Sequence, residues 1–166
     1  MARFSFRIRE AVPDDAPVIA GLIDELATYE RLAHESRPNP EALRRHLDPG
    51  SNPRCEALLA VESPGGSPIG FALFFPSYST FLTEFGLYLE DLFVRPAFRR
   101  AGVGKALLAR VVELARERGC ERVEWSVLTW NDSAIEFYRR LGANSKDDWV
   151  TMRLSGEALR RFPGAY

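Results

Sequence analysis

The chain has 166 residues, 46% of them hydrophobic and 27% charged, and its 22 basic and 23 acidic residues give a formal net charge of -1. That length is enough for one domain with its own core, and the composition excludes a disordered or fibrous chain. The balanced charge leaves no global basic field and no run reaches the ~18 apolar residues of a membrane span, so neither nucleic acid nor a bilayer is an expected partner.

Phe4, Phe6 and Ile8 alternate with Ser5, Arg7 and Arg9, the period of a half-buried strand. The same stretch lacks the apolar centre of a secretory signal. Cys55 and Cys120 show neither CxxC nor metal-ligand spacing, so a cytoplasmic protein with no disulfide and no metal is expected. After Pro13, Asp14 and Asp15 supply N-terminal charge for a helix in which Val18, Ile19, Leu22, Ile23 and Leu26 recur at helical spacing up to Tyr29. Residues 33–40 are polar and interrupted by proline, and a short helix is expected from Glu41 to Leu47; the segment 33–47 is a candidate lid. Glu56 to Val61 and Ile69 to Phe75 are apolar strand-like runs around a Gly- and Pro-rich connection, which predicts a hairpin. Leu87 to Val94 predicts a further strand, with the two acids Glu90 and Asp91 anomalously in its middle. A helix with a wide apolar face follows from Ala106 to Arg118, then a strand from Val123 to Leu128, a helix from Ser133 to Leu141, a last strand from Trp149 to Leu154 and a short terminal helix. No repeat or linker divides residues 1–166, so the order predicts a single α/β domain with helices packed on a sheet.

The strongest local signal is the segment from Leu92 to Lys105, a strand leading through basic, glycine-spaced residues into a helix. The first N–H groups of a helix have no internal partners and the helix dipole adds positive charge, so a turn without side chains there can wrap a pyrophosphate. Gly102 and Gly104 permit that approach, and Arg99, Arg100 and Lys105 can add charge-assisted contacts. The spacing is not that of a Walker P-loop, and the third glycine and downstream acid of a dinucleotide fingerprint are missing.

Arg99-x-x-Gly102-x-Gly104 at a helix start, the acidic strand before it and Asn131-x-x-Ala134-x-x-Phe137-Tyr138 after it together resemble the GNAT superfamily of acyl-CoA-dependent N-acetyltransferases. Within it, the runs Glu25 to Glu30, Tyr88 to Val94 and Trp130 to Tyr138 resemble the diamine family of spermidine/spermine and thialysine acetyltransferases. The resemblance implies a mixed, mostly antiparallel α/β (α+β) sheet of about 6–7 strands, with helices on both faces and a splayed strand pair holding acetyl-CoA. It implies a cofactor site of Leu92, Phe93, Val94, Arg99, Arg100, Ala101, Gly102, Val103, Gly104, Lys105, Asn131, Asp132, Ser133, Ala134 and Tyr138, and a homodimer.

On the same resemblance Tyr138 is the acid that protonates the departing thiolate. A primary ammonium, with a pKa of about 10.4, must lose a proton before its nitrogen can attack a thioester. Glu90 is the candidate base, directly or through water, with Asp91 on the opposite face by strand alternation unless a bulge intervenes. Tyr29, Glu30, Glu90, Glu124, Trp125 and Ser126 are the expected walls of a pocket for a small cationic amine such as a polyamine, diamine, lysine or thialysine. His34 and His46 belong to no base constellation. The other readings are acetylation of a protein, peptide or aminoglycoside, and a non-catalytic acyl-CoA sensor.

Overall fold

The computed structural model describes residues 4–52 and 54–163. They fall into two compact units, one up to Ser126 and one from Val127.

In the first unit, β1 (Ser5–Glu10), β2 (Glu56–Ser63), β3 (Pro68–Ser79), β4 (Glu84–Val94) and β5 (Val123–Trp125) form one sheet in chain order. The first three pairings are antiparallel and β4 pairs parallel with β5. The helix α1 (Ala16–Tyr29) follows a 3-10 turn at Pro13–Asp15, where Asp15 accepts from the Val12 N–H and holds Arg9 in a two-bond ion pair. Next come α2 (Pro40–Leu47), capped by the Asn39 side chain on the Ala42 N–H, and α3 (Val103–Glu117).

Alternation along the strands sorts the core into two layers. Ala57, Leu59 and Val61 of β2 and Phe71 and Leu73 of β3 point to the face covered by α1 and α2, where Ile19, Leu22, Leu26 and Leu47 meet them. The intervening Leu58, Ala60 and Ala72 are also buried, on the side where α3 brings Leu107 and Val111. Helices therefore cover both faces, and β2 reads as a continuous apolar run because neither face meets water. Each buried leucine or phenylalanine contributes about 1.5–3 kcal/mol relative to exposure.

One close approach fixes the register at the centre of this sheet. A Cβ on Gly70 would lie 2.6 Å from the Phe93 carbonyl oxygen and 3.2 Å from the Val94 Cα, both backbone atoms that cannot swing aside. Gly70→Ala is expected to destabilise the protein by about 2 kcal/mol or more, lowering the melting temperature by about 4–8 °C. An unchanged melting curve would mean that β3 and β4 can separate there at no cost.

Among the described residues the sheet has five strands, not six or seven. The expected last strand is absent: 150–155 carry no strand pairing, Trp149, Val150 and Met152 are exposed, and the Trp149 N–H closes a turn on Lys146. An apolar alternating run favours an extended backbone but cannot by itself supply the neighbour whose hydrogen bonds make it a strand. The strand expected from Val123 to Leu128 is shortened to β5 for the same reason, since only Leu87–Leu89 of β4 pair with it. The second unit holds α4 (Asp132–Arg140) and α5 (Gly156–Arg160). Among the described residues no helix is long and apolar enough to cross a membrane.

Candidate functional site

The anomalous acids of β4 lie at an irregularity in the sheet. Leu73 of β3 stands opposite Asp91, but the next residue, Phe74, stands opposite Leu89, so Glu90 is an extra residue on β4. This bulge resets the alternation. Leu87 and Leu89 pair with Pro76 and Phe74, whereas Asp91 and Phe93 pair with Leu73 and Phe71 on the face covered by α1. Pairing with β5 also stops at Leu89, so from Glu90 to Val94 the strand has β3 on one side and, among the described residues, no strand on the other.

The bulge makes Asp91 a functional candidate that alternation had turned away from the site. Its carboxyl is half-buried and pushed up to about 6, chiefly by loss of hydration, then by the negative charges of Glu90 and Glu30. Glu30 is itself shifted upward by burial. Glu90 is exposed at the bulge. Three carboxylates from α1's end and β4 thus share one field, which a cation would relieve. The signal was present in the sequence as two adjacent acids inside an apolar strand; what was missing was the register that shows where the second one points.

Tyr29 and Glu30 are placed by the C-terminus of α1. The Glu30 N–H reaches the Leu26 carbonyl, the Leu32 N–H reaches that of Ala27, and Arg31 turns the chain with φ 63°. On the β5 side, Glu124 pairs with Arg122 at 2.9 Å, Trp125 stands opposite Leu89, and the Ser126 hydroxyl lies 2.8 Å from that of Tyr88. Tyr88 in turn rests against Phe75, with ring centres 5.4 Å apart.

The turn after β4 is the segment expected to cradle an anion. Arg100 and Gly102 both take left-handed backbone angles, φ 63° and 86°, and Gly102 has open space where a Cβ would stand. Residues Val103, Gly104 and Lys105 precede the first helical bond, from the Ala106 N–H to the Gly102 carbonyl, so their amides belong to the unpaired helix start. Val103 is buried and anchors the turn, whereas Arg100, Ala101, Gly102 and Lys105 are exposed. Leu92 and Val94 are half-buried and Phe93 is core. Arg99 departs from the expectation for a phosphate contact: its Nε donates to the Val94 carbonyl at 2.9 Å and its guanidinium lies over the Tyr29 ring.

In the second unit, Asn131 caps α4, its side chain accepting from the Ala134 N–H and the Ser133 hydroxyl, with Asp132 in the first turn. Tyr138 lies in the last turn of that helix, half-buried, its ring 5.1 Å from that of Phe137. The expected lid is anchored rather than loose over its second half: Leu47 is core, the His46 carbonyl accepts from Cys55, and Arg44 pairs with Asp14. A cavity of about 480 Å³ lies beside α2, lined by His46, Ser51, Asn52, Arg54, Cys55, Phe75 and Pro76; none of the expected site residues is among them. Among the described residues no cluster of three or more metal-binding side chains occurs.

The profile of the acetyltransferase (GNAT) family matches residues 20–143. The chain is 37% identical to the thialysine N-epsilon-acetyltransferase of Mus musculus, over 96% of this chain and 98% of that protein. It is 36% identical to the L-ornithine N5-acetyltransferase NATA1 of Arabidopsis thaliana, over 95% and 88%. Among solved structures, an integron cassette protein from the mobile metagenome of V. cholerae matches with a TM-score of 0.78 at 23% identity, covering 95% of this chain and 97% of that one, a likeness of fold.

Proposed function

The chain belongs to the acetyltransferase (GNAT) family, and from that premise we propose that it moves an acetyl group from acetyl-CoA to a primary amine of a small cationic acceptor, of the diamine or basic amino-acid class. The observation that carries this reading is the carboxylate group of Glu30, Glu90 and Asp91 at the β4 bulge. Burial, and then repulsion from Glu90 and Glu30, raise Asp91's pKa, and a bound ammonium offsets that repulsion, so the site favours a cation over a neutral acceptor. The relatives named for thialysine and ornithine support a small amine that carries a second charged group.

Acetyl-CoA supplies a thioester whose carbonyl carbon the amine attacks. The residues at hand fit it: the turn from Arg100 to Lys105 offers unpaired amides, a left-handed glycine and two exposed cations to a pyrophosphate, and along Glu90 to Val94 one edge of β4 has, among the described residues, no strand paired to it, which suits the pantetheine amides. The incoming ammonium gives its proton to Glu90, directly or through water, with Asp91 holding negative charge beside it. As the nitrogen–carbon bond forms and the carbon–sulfur bond breaks, Tyr138 gives its proton to the departing sulfur and is reprotonated, through solvent, by the second proton that the nitrogen sheds in becoming an amide. Asn131, Asp132, Ser133 and Ala134, at the start of α4, complete the cofactor set in this reading. No covalent enzyme intermediate is needed. The assembly is read as a homodimer on the strength of the family, which light scattering of the purified chain checks.

The test is release of free CoA from acetyl-CoA with spermidine, spermine, putrescine, ornithine, lysine, thialysine, an aminoglycoside and a short peptide as acceptors. Turnover concentrated on the small diamines or basic amino acids is expected. Preference for the peptide or the aminoglycoside would reassign the acceptor, and acetyl-CoA binding without turnover on any amine would make the chain a sensor.

A further inference from the structure

Arg99 and Arg100 are neighbours in the basic turn and meet different surroundings. Arg100 is exposed, as is Lys105 at the head of α3. Arg99 is half-buried and already committed: its Nε donates to the Val94 carbonyl at 2.9 Å, and its guanidinium carbon sits 4.2 Å from the centre of the Tyr29 ring and 5.8 Å from that of Phe93. A planar cation over an aromatic face is held by the ring's negative quadrupole and by stacking, which a lysine ammonium reproduces poorly. To reach a phosphate, this side chain would have to give up both contacts.

Tyr29 ends α1 and Glu30 follows it, so the stack fixes the part of α1 that carries an acid of the carboxylate group. A second arginine from the same segment does the same four residues earlier. Arg95 donates from Nε to both Glu25 oxygens, at 2.9 and 3.1 Å, from Nη2 to Oε1 at 2.6 Å, and from Nη1 to the Pro68 carbonyl at 2.7 Å. The chain between β4 and α3 therefore reaches back twice to the C-terminal half of α1, and Arg99 is the contact nearest Glu30.

We propose that Arg99 is a positioning residue, one that ties β4's acyl-binding end to the Tyr29–Glu30 wall of the acceptor pocket, and that it is not a phosphate ligand. This rests on the acetyl-transfer reading above. Its consequence is a division of labour inside one basic turn: Arg100 and Lys105 serve the cofactor, and Arg99 serves the amine.

The experiment pairs direct acetyl-CoA calorimetry with amine kinetics on R99Q, R99K, R100Q and K105Q in the full chain. For R99Q, acetyl-CoA Kd and its salt dependence are expected to stay within about twofold of wild type, while the amine KM rises about tenfold with kcat changing less. R99K is expected to restore little of that loss, and R100Q and K105Q to weaken acetyl-CoA binding and flatten its salt dependence. Y29L is expected to reproduce the KM rise, and the R99Q/Y29L double variant to add little to either single change. Should R99Q weaken acetyl-CoA binding about tenfold, Arg99 is a phosphate ligand and the proposal fails; it also fails if R99Q leaves both the Kd and the amine KM unchanged. Where the wild type acetylates no amine, the acetyl-transfer reading falls separately. The calorimetric arm then still decides, an unchanged R99Q affinity excluding the phosphate contact and a lost one overturning the proposal.

Discussion

Replacement of Asp91 by asparagine is expected to make the protein more stable and less active at once. Asp91 has an ordinary pKa of about 3.9 when unfolded and is pushed up to about 6 in the fold by burial and by Glu90 and Glu30. A carboxyl whose folded pKa is raised binds its proton more tightly folded than unfolded. The stability it gives is therefore full below about pH 4 and is lost as the pH rises through about 6. Above that, the ionised group is held against its neighbours' repulsion, and the neutral amide that D91N puts in its place removes the repulsion. After discounting for partial solvent screening, the gain at pH 8 is about 1–2 kcal/mol, or about 2–8 °C in melting temperature, and it should vanish near pH 4.

The same substitution should lower kcat/KM for the amine at neutral pH by about tenfold or more, since it removes one of the charges that attract and deprotonate an ammonium. In the wild type the acid limb of the kcat/KM profile should bend near pH 6, as the free enzyme's Asp91 takes up its proton, and D91N should lack that bend. Melting curves at pH 4 and pH 8 and a pH–rate profile read both halves. A D91N protein that is less stable at pH 8 than wild type would mean that the carboxylate makes a favourable contact in the fold, and an unaltered profile would remove Asp91 from the reaction.

What the sequence made legible were the features that depend on near neighbours. β1 followed from period-2 alternation, the β2–β3 hairpin from two apolar runs around a Gly- and Pro-rich connection, α1 and α3 from helical spacing, and the entry into α3 from Gly102, whose left-handed φ of 86° matches the expected turn. What stayed hidden depended on partners far along the chain. The direction of Asp91 is set by a bulge that exists only in the register of β4 against β3. Arg99 sits in a run that suggests phosphate, yet its ring partner is Tyr29, far upstream at the end of α1. The strand expected at Trp149 to Leu154 has the right pattern and, among the described residues, no neighbour to pair with. In each case the side-chain chemistry was readable and its geometric partner was not.

The second large effect is expected at Tyr138. In Tyr138→Phe, kcat should fall about 10²-fold, near the lower end of what a positioned acid contributes, because a thiolate with a pKa of about 8.5 leaves without much help. The substitution removes one oxygen and keeps the ring that packs 5.1 Å from Phe137, so α4 and its Asn131 cap should be retained. Acetyl-CoA affinity should change little, since the proton is required only as sulfur departs and not while the thioester is intact. That split separates acid catalysis from a structural role: a packing defect would lower stability and weaken the cofactor and the amine together, whereas loss of the acid lowers kcat alone. A companion Glu90→Gln variant should act on the other proton, depressing kcat/KM at neutral pH and recovering as the pH approaches the amine's own pKa of about 10.4, where free amine no longer needs a base. Unchanged turnover in Tyr138→Phe would take the tyrosine out of the reaction and leave water to protonate the thiolate.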